Sequence, residues 1–258
     1  MKNKTAKQIV TGYRLKCALV AVLYACALLA LILFVMRINI LVAMIGVVAL
    51  AYTFHTPFEK IRQKDIDSII YEELDPERFE EILSLGVLKK SDRHKVLLYM
   101  AKGDHDALLD LVERTDAKIT NPIDKCNNLY RKGYVYFERG EYEKLPEIVK
   151  KYERVKADNP KYLYALGTFS VFDKFDAFAD DDFEYVVDVC DIDLKELDPK
   201  KQNHKLTNIN VSFYRAVSLY KLGKMEEAKA AFEEIITFAP KMHKAKLSRE
   251  FIDLIENQ

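Results

Sequence analysis

From Cys17 to Met36 the chain runs twenty residues without a charge, and from Ile38 to Phe54 seventeen more, with only Arg37 between them. A helix rising about 1.5 Å per residue crosses the ~30 Å hydrocarbon layer in about 20 residues, with about 17 as the short limit. Backbone amides in lipid must bond within their own segment. The two runs are therefore expected to form a transmembrane helical hairpin, spans about 17–36 and 38–54, turning near Arg37, Ile38 and Asn39. Residues 1–56 are read as this membrane unit and residues 57–258 as a second domain.

Charge sets the expected orientation. Lys2, Lys4, Lys7, Arg14 and Lys16 precede the first run, Lys60, Arg62 and Lys64 follow the second, and no Asp or Glu occurs before Glu59. Positive flanks stay in the cytoplasm. Two crossings return the chain to its starting side, so both termini are expected to be cytoplasmic in a multi-pass cell-membrane protein. A cleaved signal peptide fits poorly, because its apolar core is about 7–15 residues and ends in a small-x-small site. A lipoprotein site at Cys26 fits poorly too, since uncharged residues continue beyond it. Cys126 and Cys190 lack a Cys-x-x-Cys partner and are read as buried reduced thiols.

The net charge of zero hides an asymmetry: six Lys or Arg and no acid precede Pro57, so the remainder carries an excess of six acidic side chains. A mildly acidic domain beside an anionic leaflet is a poor nucleic-acid binder, and no nucleic-acid partner is expected.

Beyond Pro57 the chain is punctuated at a period near 40. Prolines fall at Pro76, Pro122, Pro160, Pro199 and Pro240, the first four each after an Asp or Asn. An Asx side chain caps free helix-start amides and proline suits the first helical position, so each pair predicts a helix start. Between them apolar residues recur at three and four, as in Tyr130, Tyr134 and Phe137. Gly86, Gly103, Gly140 and Gly223 follow helical stretches, where a left-handed residue ends a helix. The pattern predicts helices near 58–74, 76–85, 91–102, 105–114, 122–139, 141–156, 160–175, 182–191, 207–222, 226–238 and 241–256, and no sheet. Such a period marks an all-α solenoid, whose units stack because none buries its apolar face alone.

The segment holding Ala216, Leu219, Gly223, Ala228, Phe232, Ile235 and Pro240 resembles a tetratricopeptide repeat, with small, large, turn and proline positions in the family's order. Ser212 stands where an aromatic usually opens the first helix. A second match runs through Leu129, Gly133, Tyr136, Gly140, Tyr142, Leu145, Val149 and Tyr152, with Leu145 replacing a small residue. A fainter one passes through Val96, Tyr99, Gly103, Leu108 and Val112. The unit from Pro160 keeps Gly167 but has Asp180, Asp181 and Asp182 in place of a turn glycine. Met242, Leu247, Phe251 and Ile255 give the last helix the apolar stripe of a capping helix. The resemblance implies a small bacterial membrane-anchored member of the family that binds a protein or peptide on its concave face. By register, Asn127, Arg131 and Tyr134 from one repeat and Asn210, Tyr214 and Lys221 from another would face that groove.

Nothing in the chain matches a catalytic motif. Phosphate loops and nucleophile elbows need glycines that this sequence scarcely has. His55, His94, His105, His204 and His243 include no pair at helical ligand spacing, so a metal could be held only by a coincidence of the tertiary fold. The acidic run from Asp173 to Asp188 lacks the alternating ligands and central glycine of a calcium loop. No cofactor, metal or catalytic residue is expected, and the chain is read as a non-enzyme. The alternatives are a structural subunit assembled through the hairpin, with Ala43, Gly46 and Ala49 permitting close approach, and an enzyme with an unrecognised site.

Overall fold

The computed structural model describes residues 4–35, 40–88, 91–162, 170–201 and 203–257, and among these every regular element is helical. The expected turn at Arg37, Ile38 and Asn39 lies outside them, as does Gly167. The chain divides into two compact units, residues 1–90 and 91–258.

In the first unit α1 (Ala6–Val35) and α2 (Ile40–Arg62) lie side by side. Their contacts pair Tyr24 with Thr53 and Leu31 with Gly46, and just past the end of α2 Asp65 pairs with Lys16. Partners that converge in this way define an antiparallel pair. A Cβ on Gly46 would come within 2.9 Å of the Leu31 side chain, so its absence sets the close approach. Residues 6–33 form one helix long and apolar enough to cross a membrane, and none of its most apolar stretch is buried within the protein. Leu19, Val22, Leu23, Leu29, Ile32 and Leu33 all point outward.

The sequence predicts a fresh helix over 58–74, but α2 instead runs through Pro57 to Arg62 and on into a π-helical turn, Gln63–Asp67, and a short α3, Ser68–Tyr71. Proline has no N–H to offer the carbonyl four residues earlier, which is Thr53. The Tyr24 hydroxyl of α1 donates to that oxygen at 2.7 Å, so the neighbouring helix satisfies what proline leaves open.

The start of α1 is not lipid-like. Ala6, Ile9 and Val10 are buried where α1 meets α4 (Pro76–Ser84) and the π turn, in a core with Ile66, Ile69, Phe79 and Ile82. Arg14 donates to the Leu85 carbonyl at 2.8 Å, Lys16 pairs with Asp65 at 2.6 Å and Arg62 pairs with Asp67 at 3.3 Å. The compact unit therefore extends well past Pro57.

The second unit is a run of helix pairs: α5 (Asp92–Lys102) with α6 (His105–Asp116), α7 (Pro122–Glu138) with α8 (Leu145–Asp158), α9 (Val171–Ala179) with α10 (Phe183–Glu196), and α11 (His204–Lys221) with α12 (Met225–Phe238). A final helix, α13 (His243–Glu256), follows. Each pair turns through the same hydrogen bond, from an N–H to the carbonyl five residues back: Asp104 to Tyr99, Glu141 to Tyr136, Asp182 to Ala177 and Lys224 to Leu219. That bond closes a helix whose following residue is left-handed. Gly103, Gly140 and Gly223 take that conformation, and in the third pair Asp181 does so at φ +56°. The three aspartates thus replace the turn glycine, since Asp182 also caps α10 by accepting from the Tyr185 N–H.

Asp75 and Asn121 cap helices ahead of their prolines as predicted. The other two Asx-Pro pairs do not start α-helices. Asn159 donates back to Val155 and closes α8, leaving a 3-10 turn at Pro160–Tyr162, and Asp198 caps a turn several residues before α11. Of the helix predicted over 160–175, residues 160–162 form that turn, residues 171–175 belong to α9, and residues 163–169 lie outside those described. Elsewhere in this unit helix limits agree within five residues, and α8 is entered through a 3-10 turn, Tyr142–Lys144.

The second core is strongly aromatic. Phe137 of α7 meets Phe178 of α9 and Tyr214 of α11 edge-on, at centroid distances of 4.7 and 4.5 Å. Phe251 of α13 stacks on Phe232 of α12 at 4.9 Å. Besides covering α12, α13 packs on α11 and reaches back to α5, so the last helix touches the first of this unit.

Candidate functional site

Where α13 returns, four helices deliver charged and aromatic groups to one buried point. Glu138, the last residue of α7, has a side chain with no exposed surface. His105, at the start of α6, holds it there with Nε2 2.8 Å from the Glu138 Oε2. Lys244, in the first turn of α13, donates to Oε1 of the same carboxylate. The ammonium of Lys244 lies over the rings of Tyr134, Phe213 and Tyr214 at 4.7, 4.5 and 5.8 Å. Attraction to the negative ring faces adds to the ion pair. His243 Nε2 stands 3.9 Å from Glu138 Oε2 and has no hydrogen-bond partner among the described residues.

Gly103 makes this approach possible. A Cβ there would sit about 2.3 Å from the His243 ring atoms. The same residue is left-handed at φ +70°, so turn geometry and ring packing both select glycine. The Tyr134 hydroxyl donates to the Met100 carbonyl at 3.1 Å, and the buried Tyr214 hydroxyl has no hydrogen-bond partner among the described residues.

The electrostatics follow from burial and pairing. Burial alone would raise the Glu138 pKa, but the charge of Lys244 and hydrogen bonds from His105 and Lys244 bring it down to about 2. Burial lowers Lys244 from its usual value against the pull of Glu138, and lowers His243 in the same way. Burial raises Tyr134 and Tyr214 well above the usual phenol range, with nearby Glu138 adding to it. The arrangement stabilises a carboxylate, an ammonium and neutral imidazole and phenol groups together. It also places His105, Glu138 and His243 so that one ligand atom from each lies within 4.8 Å of the others.

Of the six residues assigned to a partner groove, the two tyrosines are not on an accessible surface. Tyr134 and Tyr214 come together around Lys244 and are buried. Asn127 and Arg131 on α7 and Asn210 on α11 are half-buried, while Lys221 is exposed at the end of α11. Arg131 donates to the side-chain amide oxygen Oδ1 of Asn128 at 2.6 Å and borders a groove with Arg93, Val96, Leu111 and Asp124. Lys221 lies over the Tyr142 ring at 5.4 Å. Lys244, Glu138, His105 and His243 were not singled out from sequence as members of a site. Lys244 carried a signal, for it falls with Phe251 and Ile255 on one helical stripe, where a lysine is out of place unless paired.

Stacked helix pairs with a repeated turn define a helical-repeat protein. The tetratricopeptide repeat family model matches residues 211–241, which relates the last pair, α11 and α12, to that family. No curated protein matches the chain, and no solved structure matches it.

Proposed function

We propose that this chain is a membrane-anchored scaffold whose helical-repeat unit binds a partner protein or peptide. The observation that carries the reading is the tetratricopeptide match at residues 211–241 on helices whose turn is repeated in three preceding pairs. Repeats of this family generally serve protein–protein contact. The outward apolar surface of α1 and the antiparallel α2 beside it support a two-span hairpin, and the basic flanks in the sequence favour both termini in the cytoplasm. Because α13 covers Tyr134 and Tyr214, the partner surface is made by the accessible polar residues of the same helices, with Arg131 and Lys221 as its charged anchors. Binding of this kind requires no reacting group, cofactor or nucleic acid.

Affinity capture with the full-length chain from detergent extract tests this. A protein recovered with the native chain should be lost with the doubly charge-reversed Arg131→Glu, Lys221→Glu variant, whose helical circular dichroism is unchanged. Retention by that variant, together with loss on Gly46→Leu, overturns the groove reading in favour of assembly through the hairpin.

A further inference from the structure

We infer that His105, Glu138 and His243 form a binding site for a transition-metal dication of the zinc class, tying the C-terminal helix to the first two helix pairs. The ligand atoms come from α6, α7 and α13, and all lie within 4.8 Å of one another. A tetrahedral zinc ion with bonds of about 2.0–2.1 Å holds its ligand atoms roughly 3.3 Å apart. The Oε2 of Glu138 is 2.8 Å from His105 Nε2 and 3.9 Å from His243 Nε2, which straddles that separation. Small side-chain rotations therefore bring the three into register.

Three further features point to a ligand here. His243 Nε2 is buried beside the carboxylate without a hydrogen-bond partner among the described residues, an uncommon state for an imidazole nitrogen. Gly103 leaves the space that the His243 ring fills, so the imidazole is seated by the backbone. Lys244 donates to Oε1 and leaves Oε2 to face both imidazoles, the outer-sphere arrangement that orients a monodentate carboxylate. Two imidazoles and a carboxylate suit Zn²⁺, Co²⁺ and Ni²⁺ better than Mg²⁺ or Ca²⁺, which take oxygen ligands.

The consequence is mechanical. Residues 105, 138 and 243 are distant in sequence, so a shared ion would fasten the last helix over Tyr134 and Tyr214.

The full-length chain in detergent micelles, stripped with a chelator, provides the test. Addition of Co²⁺ should give the strong visible d–d bands of a four-coordinate ion, saturating at a single equivalent, and Zn²⁺ should abolish them and raise the thermal unfolding midpoint. His105→Gln and His243→Gln, each with unchanged helical circular dichroism, should lose both responses, while His204→Gln keeps them. Absence of the bands and of the midpoint shift in the native chain overturns the site. Persistence of both responses in the two histidine variants overturns it equally.

Discussion

At Glu138 two effects of opposite sign meet, and their balance predicts how the second unit responds to acid. Burial opposes the charge, but Lys244 and His105 hold the folded pKa at about 2, below the ordinary 4.5. A depressed carboxylate contributes stability that is complete above about pH 4.5 and is lost as pH falls toward 2. His243 adds to this earlier, since its folded pKa lies below the ordinary 6.5 and the unfolded chain takes up the proton first. The denaturant midpoint should therefore fall between pH 7 and 5, and more steeply below 4.5. In His243→Gln the first part of that fall should shrink, as equilibrium unfolding at the two pH values would show. Removing one member of the buried pair is the harsher change. Lys244→Met leaves a buried carboxylate without its cation and should cost about 3–5 kcal/mol. Adding Glu138→Gln should recover most of it, and a double-mutant cycle in urea measures the coupling. Of this cluster only Lys244 leaves a trace in the sequence, as a lysine on an apolar stripe. Its members are far apart in sequence, and only the return of α13 to α5 brings them together. Tyr134 and Tyr214 were placed on the right helices by periodicity, yet periodicity carries no information on what covers them.

Helices and their ends were far more legible, because the signals are local. Gly86, Gly103, Gly140 and Gly223 all take positive φ, and Asp75 and Asn121 cap as expected. The misread elements have local signals overruled by a neighbour. Pro57 argued for a break, and the break is avoided because Tyr24 donates to the stranded Thr53 carbonyl. Tyr24→Phe should accordingly destabilise the α1–α2 pair by about 1–2 kcal/mol, and adding Pro57→Ala, which restores an N–H for Thr53, should cancel most of that loss. Thermal unfolding in micelles would register both. The turn at Asp181 gives a prediction of opposite sign. An aspartate at φ +56° carries a left-handed penalty that glycine avoids. Asp181→Gly should raise stability by up to about 1 kcal/mol, provided the Asp182 cap is kept. A lower unfolding midpoint would mean that the Asp181 side chain holds the turn in another way.

At the scale of the whole molecule, hydropathy and charge are segregated along the chain, and this was the easiest feature to read. The first apolar run is helix α1, although its opening residues are buried among α4 and the π turn rather than set aside as a free basic tail. Hydropathy could not show this, because Ile9 and Val10 look the same whether lipid or protein surrounds them. Arg14, Lys16 and Arg62, counted from sequence among the positive flanks, are engaged by Leu85, Asp65 and Asp67. The orientation rule therefore rests more on Lys2, Lys4, Lys7, Lys60 and Lys64. Cysteine accessibility in intact cells tests it. Cys126 and Cys190 are buried with thiol pKa values pushed up to about 11 and 12, so both react slowly and make a quiet background once Cys17 and Cys26 are changed to Ala. In that background Asn39→Cys should be labelled by an impermeant maleimide, whereas Lys201→Cys should react only after the cells are opened. Labelling of Lys201→Cys in intact cells with protection of Asn39→Cys would invert the topology and place the repeat unit outside.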